Sequence, residues 1–296
     1  MIGSVVQPLY DPIVRAQLDT IVADAPRLGA LPAAYHRLSE VLQDPAANAQ
    51  HIAAAVRLDP DLTARLLRLV NTAAIRPPRP IDTVSQAAMR IGTVQLQQLA
   101  LATSVVRMFR GMPEHLLDMA SFWTHSVAVG LGTHLLGRAL GYRSTESMFV
   151  SGLLHDVGTL LLCTVKPREV RNVLIETENR GLPHYVVEQQ ILGYSHADAG
   201  AVLLESWNLP RRVVDVAAWH HRLSDAAPPD RSLIDLVHVA DVIATSLSIG
   251  NGGERAAHAL DPEVWRRTRL TTSQLHTVIR DLDAQILEVV EALLDG

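Results

Sequence analysis

Cysteine, lysine and aromatic residues are scarce in this sequence, and each scarcity excludes something. Cys163 is the single cysteine and Lys166 the single lysine among 296 residues, with three Phe, four Trp and five Tyr. One cysteine cannot form a disulfide within the chain, which argues against a secreted disulfide scaffold. Cys163 ends the apolar run Leu160–Cys163, so we interpret it as a core residue rather than a reactive thiol. With so few aromatic rings the core must consist of Leu, Val, Ile and Ala, which favours helices over strands.

The sequence also lacks long hydrophobic runs and an excess of positive charge. The segment from Met1 to Val6 has neither the basic nor the apolar region of a secretory signal. We expect no stretch that approaches the roughly 18 uncharged apolar residues of a membrane span. The net charge of −5 gives no overall attraction to nucleic acid or to an anionic membrane. We therefore expect a cytoplasmic protein that binds neither.

Signals for helix starts recur along the chain. At three places an Asp, which can accept the free N–H groups of a first turn, precedes a Pro, which lacks one such N–H. These pairs are Asp11-Pro12, Asp59-Pro60 and Asp261-Pro262, and Thr271 with Gln274 has the spacing of a capping box. Apolar residues follow at helical spacing, as in Leu62, Leu66, Leu69 and Val70, and again through residues 272–295. We find no convincing alternation of period two, so the predicted fold class is all-α.

The strongest internal break is the segment Phe109–Pro113, which predicts two packed helical lobes. A helical run ends there at Met108, and another is expected to start near Glu114. We accordingly predict an N-terminal helical bundle over residues 1–112 and a second helical lobe over residues 113–296. Two further stretches that contain Pro or Gly are predicted to be surface loops: residues 226–229 and residues 250–253.

The second lobe holds the side chains that need a chemical explanation, and ten of the 13 histidines lie after residue 120. Those of interest stand on successive predicted helices: His125, the doublet His155-Asp156, His196, the pair His220-His221, and Asp241. A carboxylate among Leu, Val, Ile and Ala, as at Asp156 and Asp241, is costly unless it is paired, hydrogen-bonded or bound to metal. Imidazole and carboxylate ligands suit divalent Zn, Fe or Mn. One metal held by His125, His155, Asp156 and Asp241 would account for all four positions.

Each of these residues also has a simpler interpretation. A single buried histidine is most often hydrogen-bonded in the core, and a single buried Asp can be a helix cap. His220-His221 could end a helix and favour its dipole, and Ser195 could cap the helix that starts at His196. Five other histidines are interpreted as ordinary helix residues, namely His134, His184, His238, His258 and His276. The order of the seven candidates along the chain favours a shared site.

At these residues the sequence resembles a known family. The order His, His-Asp, Asp is similar to that of the HD superfamily of helical, metal-dependent phosphohydrolases. His196 and His220-His221 resemble the second-metal ligands of HD-GYP cyclic-dinucleotide phosphodiesterases. The surrounding sequence is more similar to HDOD domains, the HD-related output domains of bacterial signalling. The phrases that carry this similarity are Leu31–Ala33, Asp59–Leu62, Leu69–Asn71, Ile91-Gly92, Gly152–Gly158, Trp207–Pro210 and His220-His221.

The resemblance implies an N-terminal helical lobe packed on an HD-like lobe, a site for one or two divalent ions of Fe, Mn or Zn, and a role in regulation. Three departures from HD-GYP enzymes concern substrate handling. Thr159 stands where those enzymes have a lysine, and a cation there would stabilise phosphate charge. The Gly-Tyr-Pro segment is absent after His221, and Ser121 stands where some of these enzymes have a Glu ligand. The resemblance does not itself establish catalysis.

Three functions follow from these features. The first is a signalling or regulatory protein whose metal site is structural, sensory or vestigial. The second is a metal-dependent phosphohydrolase that acts on cyclic dinucleotides or nucleotides. The third, which the acidic net charge disfavours, is nucleic-acid binding through helix arginines, namely Arg65, Arg68, Arg76, Arg79, Arg107 and Arg110. For the first function the expected partners are other signalling proteins, with a phosphate-containing small ligand and a second copy of the chain as further options.

Overall fold

The computed structural model describes residues 11–44, 46–75, 79–110, 112, 116–142, 145–223, 231–252 and 259–294. Within these residues the chain forms helices and no strand, which confirms the all-α prediction. The helices are α1 (Pro12–Ala23), α2 (Ala33–Gln43), α3 (Ala49–Arg57), α4 (Pro60–Val70), α5 (Val84–Ile91), α6 (Thr93–Met108), α7 (Met119–Ala139), α8 (Glu146–Leu153), α9 (Val157–Val165), α10 (Pro167–Arg180), α11 (His184–Leu192), α12 (His196–Ser206), α13 (Arg211–Trp219), α14 (Arg231–Ser246), α15 (Pro262–Thr268) and α16 (Thr272–Leu294).

The predicted helix starts are confirmed by their caps. Asp11 accepts the N–H of Ile13 at 2.8 Å, and Asp59 accepts the N–H of Leu62 at 3.0 Å. Two more caps follow the same prediction: Asp261 accepts the N–H of Glu263, and Thr271 and Gln274 form a reciprocal pair. Helix α6 ends at Met108 as predicted, whereas α7 begins at Met119, because Asp118 caps the N–H groups of its first turn. Glu114, where this helix was expected to start, lies outside the described residues.

Helix α7 is the centre of the C-terminal half of the molecule. It is apolar on most of its circumference and packs against α8, α14 and α16. Its contact with α8 is at backbone distance, because a Cβ at Gly152 would lie 2.8 Å from the Cα of Gly130. This close approach places His125 of α7 beside the His155-Asp156 doublet that follows α8.

A second pair of glycines joins α9 to α12. A Cβ at Gly158 would lie 2.0 Å from the carbonyl oxygen of His196 and 2.4 Å from the backbone nitrogen of Gly200. No side chain fits at this contact, and the first turns of the two helices are therefore in backbone contact. Since Gly158 follows Asp156 by two residues, this contact places His196 close to the His155-Asp156 doublet.

Both ends of the described chain pack across the predicted boundary near residue 112. Helix α1 contacts α9 and α12, and α16 contacts α4 and α6 as well as α7. Arg65 of α4 is fully buried and donates a hydrogen bond of 2.8 Å to the backbone carbonyl of Leu293 in α16. The division into lobes at residues 1–112 and 113–296 stays a prediction, but these contacts bury much of the surface between them.

The arginines considered for nucleic-acid binding are mostly engaged in the fold. Arg65 is buried rather than solvated, because it contacts both Asp61 and the end of α16. Arg107 forms ion pairs with Asp59 and Asp61, and Arg110 donates to the carbonyl of Leu294. Arg76 lies outside the described residues. Among the described residues, then, the set offers no continuous row of solvated guanidinium groups.

The expectation that no stretch approaches a membrane span was wrong for one segment. By length and composition alone, Ser147–Val165 is long and apolar enough to cross a membrane, although 78% of it is buried inside the fold. It is not one straight helix, because α8 ends at Leu153 and α9 begins at Val157. Its burial is that of a core segment, and the match to a span is weak evidence for a membrane. Cys163 lies in the same segment, where burial first and then the Glu188 charge raise the pKa of its thiol to about 12, consistent with a packing role.

The glycine contact between α9 and α12 predicts a large effect of one added methyl group. We expect Gly158→Ala to destabilise the protein by about 3 kcal/mol, the upper end for overpacking a close contact, because backbone atoms and not a movable side chain fill the space. Thermal and urea unfolding would measure this. Gly29→Ala is the matched control, since its Cβ would meet nothing closer than 3.7 Å; equal stability of the two variants would contradict the role of the contact.

Candidate metal centre

All seven predicted ligands lie on elements that converge on the His155-Asp156 doublet. His125 lies on α7, His196 is the first residue of α12, and Asp241 lies on α14. His220 and His221 directly follow α13. The doublet itself was expected inside a helix, and that prediction was wrong, since it lies in the turn between α8 and α9. Asp156 is the N-cap residue of α9 but makes no side-chain cap hydrogen bond, so its carboxylate is turned toward the histidines.

The first group of ligand atoms comes from His125, His155 and Asp156. One atom from each lies within 4.8 Å of the others, and all three residues are buried. Nε2 of His155 lies 3.2 Å from Oδ2 of Asp156. Asp241 adjoins this group, with its Oδ1 at 3.1 Å from Nε2 of His125. The four residues predicted to share one metal are therefore adjacent in the fold.

A second group uses the other carboxylate oxygen of Asp156. Its Oδ1 lies 3.3 Å from Nε2 of His196 and 3.2 Å from Nε2 of His220. His221 completes this group, with its Nε2 at 3.1 Å from Nε2 of His196. Asp156 thus divides its two oxygens between two neighbouring sets of imidazoles, an arrangement that suits a carboxylate shared by two ions.

The ring orientations of three histidines are fixed by acceptors on the far side of each ring. Nδ1 of His155 lies 2.7 Å from the carbonyl oxygen of Gly152, and Nδ1 of His220 lies 2.8 Å from that of Ala217. Nδ1 of His196 lies 2.6 Å from Oε2 of Glu188. A carbonyl or carboxylate oxygen only accepts, so each Nδ1 must carry the proton that it donates. In a neutral ring this leaves a lone pair on Nε2, which faces the carboxylate of Asp156.

Lone pairs that face one another at about 3.2 Å repel unless a proton or a metal cation lies between them. Nε2 of His155, Nε2 of His220 and Oδ1 of Asp156 are all buried without a hydrogen-bond partner. For His220 a proton is disfavoured, because burial lowers the pKa of this imidazole despite the nearby Asp156. A divalent cation would satisfy these atoms together, so the donor set fits a metal.

The other charges of the site are strongly coupled. Burial alone would raise the pKa of Asp156, but His155, His196 and His220 hold it well below its ordinary value. Burial opposes the charged form of His196, yet Glu188 and Asp156 raise its pKa well above the ordinary value. Asp156 is consequently ionised, as a ligand carboxylate must be.

A glycine leaves room beside the first group. A Cβ at Gly252 would lie 2.8 Å from Oδ2 of Asp156 and 3.1 Å from Nε2 of His125, in the space next to both ligand atoms. The preceding Gly250 has a φ of 66° and lies against Ser121, whose carbonyl accepts the N–H of Asn251 at 3.0 Å. Residues 250–253 were predicted to form a surface loop; residues 250–252 do lie in a loop after α14, but Gly252 is buried and the loop packs over the first group of ligands.

Sequence reasoning missed three side chains of the site. His184 was interpreted as an ordinary helix residue, but it is buried beside Glu188, and the two join His196 in a third group of ligand-type atoms. Tyr185 stacks on His221 with ring centroids 4.4 Å apart and planes inclined by 11°. The available signal was the spacing of His184 and Glu188, which places a histidine and a carboxylate on one helix face.

The surroundings of the candidate ligands offer little positive charge that could bind a phosphate group. Thr159 is buried close to the doublet and brings no charge. Arg222, which follows the histidine pair, is held by an ion pair with Asp198 and lies over the ring of Trp219. The guanidinium of Arg222 is therefore already engaged within the fold.

Comparison with known proteins agrees with this architecture. Residues 28–223 match the HDOD domain. The chain is 25% identical over 213 residues to an uncharacterized protein from Treponema pallidum (strain Nichols), covering 72% of this chain and 41% of that protein. The chain thus spans less than half the length of this relative.

Solved structures share the fold at low identity. An HDOD domain protein of unknown function from Geobacter sulfurreducens has a TM-score of 0.75 at 22% identity, covering 95% of this chain and 98% of that one. A candidate metal-dependent phosphohydrolase from Shewanella amazonensis SB2B has a TM-score of 0.65 at 18% identity, with coverage of 95% and 98%. At these identities the likeness establishes the helical architecture only. Since the family match covers well over half of the sequence, the chain belongs to the HDOD domain family.

Proposed function

We propose that this chain is a regulatory HDOD protein of signal transduction, whose HD-type centre holds one or two divalent transition-metal ions without turning over a substrate. The observation that carries the metal is the approach of His220 Nε2 to Asp156 Oδ1 at 3.2 Å. Both atoms are buried without a hydrogen-bond partner, and the only proton of a neutral His220 ring is donated to the carbonyl of Ala217. A cation between the two atoms is the arrangement that relieves this contact.

Two features support regulation over catalysis. Thr159 supplies no charge for a phosphoryl group. The backbone of residues 250–252 lies over His125 and Asp156, where a substrate would have to approach the first group. An ion held there would fix α7 and the α8–α9 turn to each other and so link metal occupancy to the packing of the whole helical core.

A metal-dependent phosphohydrolase is the second candidate, and two observations favour it. Asp156 divides its oxygens between two ligand groups, as in two-metal hydrolytic centres. His221 and Arg222 line a surface cavity together with Tyr185, Gln189 and Ser195, so the second group can be reached from solvent. When bound, divalent ions at such a site would polarise a phosphoryl oxygen and activate water.

Metal content tests the proposed centre directly. We expect the purified wild-type protein, reconstituted with Fe, Mn or Zn and measured by mass spectrometry, to retain one or two ions per chain. Asp156→Asn should lose them, because this side chain of unchanged shape no longer offers two anionic oxygens to the two groups. Asp235→Asn is the matched control, since Asp235 is equally buried but pairs with Arg267. Metal-free wild type after reconstitution would overturn the proposal.

Gly252→Ala offers a test that alters no ligand. We expect metal affinity to fall by roughly ten-fold or more, as for other disturbed ligand surroundings, because the new Cβ would occupy the space beside Asp156 and His125. Calorimetric titration with Mn²⁺ would measure the change in affinity, and Gly29→Ala is the control substitution. Unchanged affinity at Gly252→Ala, with the fold intact by circular dichroism, would mean that no ion lies between these two side chains.

Turnover separates the two candidate functions. We expect no hydrolysis of cyclic dinucleotides, nucleotides or a generic phosphodiester above the rate of Asp156→Asn, with Mn²⁺ or Fe²⁺ supplied. A rate that falls by about 10³-fold or more in both Asp156→Asn and His155→Ala would instead identify metal-dependent catalysis. A rate shared equally by wild type and both variants would be a contaminant's and would leave the regulatory function in place.

A further inference from the structure

Glu188 lies outside the predicted ligand set and is among the most deeply buried charged groups of the described chain. It is on α11, is 1% exposed, and faces the start of α12. Burying an ionised carboxylate is costly unless it is hydrogen-bonded and paired. Its position therefore needs an explanation that the two ligand groups around Asp156 do not supply.

The contacts of Glu188 converge on His196. Oε2 accepts the backbone N–H of His196 at 2.7 Å and lies 2.6 Å from Nδ1 of the same residue. One oxygen thus holds both the main chain and the ring of His196. The opposite nitrogen, Nε2, lies 3.3 Å from Oδ1 of Asp156.

We propose that Glu188 is a positioning residue, which fixes the ring orientation and tautomer of His196 and thereby sets the affinity of the second ligand group for metal. The metal part rests on the function proposed above, whereas the orientation and the tautomer do not. The geometry is that of a carboxylate that accepts the second N–H of a ligating histidine, an arrangement that orients the ring and increases its basicity.

The location at a helix start strengthens this effect. His196 is the first residue of α12, so its backbone N–H has no acceptor within the helix. By accepting this N–H, Glu188 also places a negative charge at the positive end of the helix dipole. Ser195 and Asp198 form a separate capping box, which means that Glu188 is not required as the cap.

His184 holds the other side of the carboxylate. Its Nε2 lies 3.2 Å from Oε1 of Glu188, one helical turn away, and the ring is 2% exposed. An ion shared by His184, Glu188 and His196 is a competing arrangement. It is disfavoured because Nδ1 of His196 must carry the proton that Glu188 accepts, and a protonated nitrogen cannot bind a metal.

The experiment compares the full-length wild type with Glu188→Gln, Glu188→Ala and the control Asp235→Asn. Titration with Mn²⁺ measures each binding step. ¹⁵N–¹H NMR of the histidine rings, recorded over a pH range that reaches the neutral form of His196, measures its tautomer in the metal-free protein. We expect Glu188→Ala to weaken one ion by 10- to 100-fold and to shift the proton of His196 away from Nδ1. Glu188→Gln keeps an acceptor oxygen but lacks the charge. It should retain the His196 tautomer and bind metal with an affinity between those of wild type and Glu188→Ala.

The outcomes separate this inference from the proposed function. Equal metal affinity in wild type and Glu188→Ala, or an unchanged His196 tautomer, would overturn the positioning role and leave the metal centre standing. Absence of metal from every protein would overturn the metal centre, and the tautomer alone would then decide whether Glu188 orients the ring. Loss of every binding step together in Glu188→Gln would contradict an effect confined to the second group. If Glu188→Ala releases an ion that wild type and His184→Phe bind with equal affinity, an ion shared with His184 is also excluded.

Discussion

The orientation of three histidine rings around one carboxylate is the constraint on which the rest of the site depends. The carbonyls of Gly152 and Ala217 and the carboxylate of Glu188 each accept an Nδ1 proton. Every ring is thereby turned so that Nε2 points at Asp156. The three acceptors lie on α8 (Gly152), α13 (Ala217) and α11 (Glu188). The local backbone, as much as the ligands themselves, defines the centre.

Close backbone packing supplies the second requirement, which is that separate helices reach one point. Gly130 with Gly152, and Gly158 with Gly200, allow contacts that any side chain would prevent. Interiors are packed densely enough that such contacts transmit small displacements. A change of a few tenths of an ångström between α9 and α12 would therefore alter the distance between His196 and Asp156.

Much of this architecture could be predicted from residue patterns, but not all of it. Helix type and the Asp-Pro caps follow from local spacing, and the cost of burying Asp156 and Asp241 indicates a shared site with His125 and His155. The resemblance to HD-GYP enzymes added His196, His220 and His221 to the candidate ligands. The break between α8 and α9 was missed because residues 154–156 contain neither proline nor glycine and stand between two apolar stretches. The role of Glu188 depends on how the turn between α11 and α12 brings it against His196. Gly252 could not be placed, since its role arises from contacts with residues distant in sequence. The burial of Arg65 was missed for the same reason, because its partner carbonyl belongs to α16.

The segment Ser147–Val165 has a consequence beyond the site. It is apolar enough for a membrane helix, and Asp156 stands at its midpoint. An Asp at the centre of a candidate span adds about 3 kcal/mol to the cost of its insertion by the translocon. The carboxylate that faces the histidines in the fold thus also makes this segment less suited to span a bilayer.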